Sequence, residues 1–150
     1  MDTFDYDNFI DNMVETTSFT TQFLEDLLKL VTVFNCPLHN DYRWLLGFCT
    51  QKVDWDIKNS CNVPKVPEGL YKVAAGMILA EYLSGLMTQG VINGKAVFNF
   101  EGAVKQLQEG DTNIVFAVDS SMSGEGKLNS FIEQLRSNRN QFITYRRLKW

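Results

Sequence analysis

Between Gly69 and Gly90 the chain carries only two charges, Lys72 and Glu81, and its apolar residues surround a helical wheel almost completely. A helix with no polar face has to be covered on all sides. A membrane span would bury both charges, at about 2–3 kcal/mol each or more. The segment is therefore read as the central helix of a water-soluble bundle. Pro67 suits its first turn, Glu68 favours its N-terminus and Gly90 its end. Gly76, Ala80 and Ser84 recur every four residues and open one face to a close neighbour.

The partners of such a helix must come from the same 150 residues, the length of one domain. Residues 20 to 34 place Phe23, Leu24, Leu27, Leu28, Val31 and Phe34 on one stripe, and Pro37 stops that helix. The next helix starts near Asn40 or Asp41, with Tyr42, Leu45, Leu46, Cys49 and Val53 as its inner face. It ends before the loop from Asn59 to Val66. Residues 1 to 17, with Phe4, Tyr6, Phe9 and Ile10 scattered among Asp residues, read as an acidic arm, either flexible or ordered on a partner.

Beyond the central helix the pattern changes. Val91, Ile92, Val97, Phe98 and Phe100 flank an Asn93-Gly94 turn signal, and a second apolar pair of runs flanks Gly110-Asp111. Residues 91 to 118 thus read as a short β-hairpin or strand pair, and 119 to 126 as a Ser/Gly linker. From 127 to 150 a basic helix and tail follow, with Leu128, Phe131, Ile132, Leu135, Phe142 and Tyr145 as the apolar stripe and Arg136, Arg139 and Arg147 on another side. The expected fold is mainly α: about four helices with residues 20 to 89 as the core, in a single domain over residues 1 to 150.

Charge is distributed unevenly. Residues 1 to 41 hold eight acids against one Lys, whereas residues 127 to 150 hold six bases against Glu133. The whole chain is at −4 with a pI near 4.9, which argues against sequence-independent binding of nucleic acid over a basic surface. Opposite ends of opposite sign suit head-to-tail contacts that close into rings.

Several chemical motifs fail on spacing. Asp119, Ser121 and Ser123 spell the D-x-S-x-S metal loop of von Willebrand A-type domains, but only 27 residues follow Ser123, too few for that doubly wound fold. Gly124 to Lys127 lacks the first Gly and the final hydroxyl of a phosphate loop. Cys36, His39, Cys49 and Cys61 are too widely spaced for zinc, and His39 is the sole histidine. The cysteines read as reduced, buried thiols of a cytoplasmic product, since no signal peptide precedes them. Asp54 and Asp56 point in opposite directions from one helix end. The chain is expected to be neither an enzyme nor a holder of metal or cofactor.

The tail Gln141-Phe142-Ile143-Thr144-Tyr145-Arg146-Arg147-Leu148-Lys149-Trp150 combines the residue types that dominate interface hot spots. Written F-x-x-Y-R-R-L-K-W, it resembles the closing helix of head–tail connector (adaptor) proteins of tailed bacteriophages. Val104 to Phe116, containing Leu107 and Gly110-Asp111-Thr112, is similar to that family's I-x-x-G-D-T-x-V-x-F segment, and Val66 to Tyr71 to the start of its long apolar helix. The resemblance covers residues 64 to 150; the Ser/Gly linker and Asp-rich N-terminus depart from it. It implies a structural virion protein at the head–tail junction, made in the bacterial host cytoplasm. Subunits of that family assemble as a ring, typically twelve-fold, beneath the portal. Such a ring extends the DNA channel without specific DNA binding and carries the next tail component. By position, Tyr145, Arg146, Arg147, Leu148 and Trp150 would bind the portal, and Arg136, Arg139, Gly110, Asp111 and Thr112 would lie at subunit interfaces. The competing readings are a small nucleic-acid-binding protein using the basic helix, and a divalent-metal domain using Asp119, Ser121 and Ser123.

Overall fold

The computed structural model describes residues 4–33, 42–89, 132–133 and 136–146, with backbone alone at 33 and 138–140. Four α-helices make the body: α1 (Tyr6–Thr16), α2 (Thr21–Val33), α3 (Arg43–Cys61) and α4 (Tyr71–Thr88). A 3-10 turn, Glu68–Leu70, leads into α4, and a 3-10 helix, Ser137–Tyr145, closes the described chain. The described residues contain no strand, and the expected β element over 91–118 and linker over 119–126 lie outside them.

α4 occupies the centre. Val73, Ala74, Gly76, Ile78, Leu79, Tyr82, Leu83 and Leu86 are buried around its whole circumference. It packs against α3, α2 and the C-terminal 3-10 helix, while α1 covers α2 and α3. Pro67 stands just ahead of the 3-10 turn with φ −62° and ψ 141°, extended as the residue before a helix should be, and Glu68 sits in that first turn. Gly76 and Ala80 are buried and Ser84 partly so. The close approach to α3 falls one residue further along, where a Cβ on Gly85 would stand 3.1 Å from the methyl groups of Leu45.

The N-terminal segment is not an arm. Asp5 caps α1 by accepting from the Asn8 amide at 3.1 Å. Phe9 and Met13, one turn apart, are both 2% exposed, and Phe4 packs beside Phe9. Acidic residues fill the outer face of α1, which leaves its narrow apolar stripe free for the core. Thr17 ends the helix in extended conformation. Thr20 then opens α2 by accepting from the Phe23 amide at 3.2 Å, and Phe19 stacks on Phe23 at 4.1 Å between centroids.

α3 continues two residues past the expected loop start. It closes at Asn62, whose φ of 56° is the left-handed geometry that Asn tolerates in place of glycine. The C-terminal segment corrects a second expectation. It is helical, but residues 137–145 wind as a 3-10 helix rather than continuing an α-helix. Ser137, Asn138 and Asn140 are weak α-helix formers because their side chains compete for the backbone. The tighter winding repeats every three residues, and Phe142 (buried) and Tyr145 (partly buried) share one edge at that spacing.

One polar cluster lies inside this apolar frame. The Asp54 carboxylate, 3% exposed, ion-pairs with Lys58 at 2.9 Å and accepts from the Ser18 amide at 3.0 Å and the Ser18 hydroxyl at 2.5 Å. The same hydroxyl accepts from the Val66 amide at 3.0 Å. Removing one partner of a buried pair strands the others, at a cost of about 3 kcal/mol. Asp54→Ala is expected to lose about that much in urea unfolding, and Asp54→Asn less, because the amide oxygen can still accept from Ser18.

Candidate functional site

The body presents different chemistry at its two ends. At the first, α1 and α3 run side by side with Phe9 and Met13 close to Gly47; a Cβ on Gly47 would meet the Met13 methyl at 3.3 Å. The two helices leave a groove of about 310 Å³, lined by Asn8 and Asn12 from α1 and by Arg43, Trp44, Phe48 and Gln51 from α3. Trp44 is 75% exposed and stacks on Phe48, with centroids 5.5 Å apart and an angle of 20° between the rings. Trp55, 69% exposed, continues the same stripe three turns on. Along the α1 side, Asp11 and Glu15 are exposed. Large aromatics in a row on a small body make this face a candidate binding surface.

At the other end, α3 finishes against the C-terminal 3-10 helix. The Cys61 thiol lies 3.6 Å from the Phe142 carbonyl oxygen, and Ile132 and Phe142 are buried in the common core. Tyr145 lies over Gly69, where any Cβ would overlap its ring and hydroxyl. Beyond it Arg146 is exposed and extended, with φ −72° and ψ 133°. Ile143, 72% exposed, stands beside it on the outer side.

The sequence-derived site residues separate accordingly. Of the expected portal-binding set, Tyr145 packs on its own core and so anchors the tail rather than extending from it. Arg146 is exposed, and Arg147, Leu148 and Trp150 lie outside the described residues. Of the expected subunit-interface set, Arg136 is engaged within the chain: its Nε lies 3.4 Å from Glu81, which also meets Lys52 at 3.1 Å. Glu81 thus joins α3, α4 and the C-terminal segment. The Arg139 side chain, Gly110, Asp111 and Thr112 fall outside the description, as do Asp119, Ser121, Ser123, Cys36 and His39. The aromatic face of α3 was missed. Its signal was present in the sequence, since Trp44, Phe48 and Trp55 are the large residues left over once Leu45, Leu46, Cys49 and Val53 are assigned inward.

Chemically reactive groups are muted. Cys49 and Cys61 are buried free thiols. Burial first, and Glu81 second, push the Cys49 thiol up to about 12, against the opposing pull of Lys52. Burial also raises Cys61, with Arg146 acting the other way. The Tyr71 hydroxyl is raised by burial and by Glu68. It lines an open groove of about 410 Å³ between α2 and α4, with Phe23, Leu30 and Ala75 as floor and Asp26, Glu68 and Lys72 at the rim. No three His, Cys, Asp or Glu residues among those described cluster as a metal site would require. No described helix is long and apolar enough to cross a membrane. Comparisons with protein-family models, with curated proteins and with solved structures find no match.

Two outcomes follow from this geometry. The unfolded Cys49 thiol ionises near 9.0, whereas the folded one holds its proton to about 12. Its contribution to stability is complete below about 9 and is lost as pH rises towards 12. Over that window the parent should lose unfolding free energy more steeply than Cys49→Ala. At the tail anchor, Gly69→Ala should displace the Tyr145 ring and cost about 1–2 kcal/mol, much as Tyr145→Ala does. The double variant should cost little more than either one, and chemical unfolding of all three checks this non-additivity.

Proposed function

We propose that this chain is a non-enzymatic structural subunit of a tailed-phage head–tail connector, and that its basic, aromatic C-terminal tail is the element that docks on the portal. The observation that carries this reading is where the core ends. Ile132, Phe142 and Tyr145 spend the apolar stripe of the C-terminal segment, and Arg146 is already extended and exposed. The next residues in the sequence, Arg147, Leu148, Lys149 and Trp150, then bring hot-spot residue types.

The resemblance of residues 64 to 150 to connector proteins supplies the rest of the reading. Subunits assemble in a ring, typically twelve-fold, at the head–tail junction and pass DNA through the lumen without binding it specifically. They offer the opposite face to the next tail component. The overall acidity of the chain suits that lumen, because a strongly basic channel would retain the DNA it must release. Tyr145, held over Gly69, ties the last described residues to the body.

In a ring, one modest contact is repeated in every subunit, and avidity turns weak docking into a lasting joint. Deleting residues 148 to 150 should therefore leave the melting temperature within about 2 °C, given how little a surface change costs a domain of this size, while abolishing attachment to DNA-filled, tailless heads. Thermal melting beside a head-binding assay tests it. A large fall in melting temperature would place Trp150 in the core, and undiminished head binding would move the docking surface elsewhere.

A further inference from the structure

The aromatic groove between α1 and α3 is unpartnered in the described chain, and its flank is acidic. Residues 1 to 28 contain no Lys or Arg, and Asp11 and Glu15 are exposed along the α1 edge; Arg43 is the one base in the groove. The chemistry that complements such a surface is an apolar knob flanked by guanidinium groups, since arginine stacks on indole faces as well as pairing with carboxylates. That combination stands at the opposite end of the same molecule. Ile143 is 72% exposed next to exposed Arg146, and no acid follows Glu133 in the sequence.

The two patches cannot meet within one copy. The C-terminal 3-10 helix is tied to the last turn of α3 through Cys61 and Phe142. Trp44 lies at the first turn of that helix, about 25 Å away along its axis. Both patches belong to one packed body, so bending does not bring them together.

We propose that the α1–α3 groove is the seat for a second copy of this chain, with Ile143 and Arg146 of one copy inserted against Trp44 and Phe48 of the next. The contact uses different surfaces on its two sides. Every copy therefore keeps one free donor patch and one free acceptor patch, and the chain of contacts closes as a ring or continues as a filament. Asp11 and Glu15 steer the approach, so association weakens as salt rises. The inference deepens the ring assembly of the connector reading by naming the two surfaces in contact; its test needs only the purified chain, so its failure is distinguishable from a failure of head binding.

Mixing two variants tests it. The acceptor-blocked variant carries Trp44→Ser with Phe48→Ser, and the donor-blocked variant carries Ile143→Ser with Arg146→Glu; all four residues are exposed, so both should melt like the parent. In sedimentation velocity at low salt the parent should form species larger than dimers. Each variant alone should stay monomeric, its association weakened by at least about tenfold. An equimolar mixture should stop at one-to-one dimers, since one intact donor and one intact acceptor make a single junction. A charge exchange gives a second route if either double variant fails to fold. Asp11→Lys and Arg146→Glu should each weaken association, and together in one chain should restore it. A monomeric parent, a variant that assembles like the parent, or a mixture that stays monomeric would each overturn the proposal. So would an acceptor variant that melts lower with unchanged association, which would show the groove covered by its own chain. Assembly through this surface without head binding would refute the connector reading alone.

Discussion

Burying a carboxylate among apolar helices is costly unless its lone pairs find donors, and Asp54 finds them in two parts of the chain, one of which links it to a third. Lys58, one turn on, neutralises it; the Ser18 amide and hydroxyl donate to it from the corner between α1 and α2. The Ser18 hydroxyl in turn accepts from Val66, in the loop between α3 and α4. Apolar packing alone tolerates sliding and repacking, whereas this cluster has one satisfied arrangement. It therefore sets the register in which α1 enters the bundle, and with it the course of the groove beside Trp44. The hydrophobic stripes supply most of the driving force, and the carboxylate selects among the packings they allow.

The helices that were legible from sequence were those whose burial is wide. α4 is apolar all round and α2 has a broad stripe, so periodicity marks both without ambiguity. α1 was illegible because its inward stripe is only Phe9 and Met13, set among Asp residues that look like a solvated terminus. Asp54 was illegible for a different reason. Nothing local distinguishes it from Asp56 two residues later, and its partner Ser18 lies 36 positions away. The C-terminal segment revealed that it was helical but not how tightly it is wound, because Phe142 and Tyr145 are three apart and that spacing satisfies either helix.

The candidate surfaces were legible to a similar degree. The basic, aromatic tail declares itself in composition. Its first member, Tyr145, looked like part of the exposed set, and only the close approach to Gly69 shows it as an anchor. Arg136 looked like a free base until Glu81 was found beside it. In both cases a residue type suited to interfaces serves the fold instead, because a long side chain with a polar tip also bridges two elements of one chain.

A division of labour follows from these placements. Trp44, Phe48, Ile143 and Arg146 lie outside the packing that holds the bundle, whereas Asp54, Glu81, Phe142 and Tyr145 lie within it. Stability and the proposed self-association would therefore draw on separate residues, and substitutions in the two sets should combine almost additively. The two exceptions are structural joints. Met13 packs against the backbone at Gly47, directly beneath the groove, and Tyr145 immediately precedes Arg146. At those two points a change in core packing moves a surface patch. Through them the rigidity of a small helical core would fix the angle between the proposed donor patch and the proposed acceptor patch. In the proposed head-to-tail contact, that angle would decide whether the repeat closes into a ring of definite size or runs on as a filament.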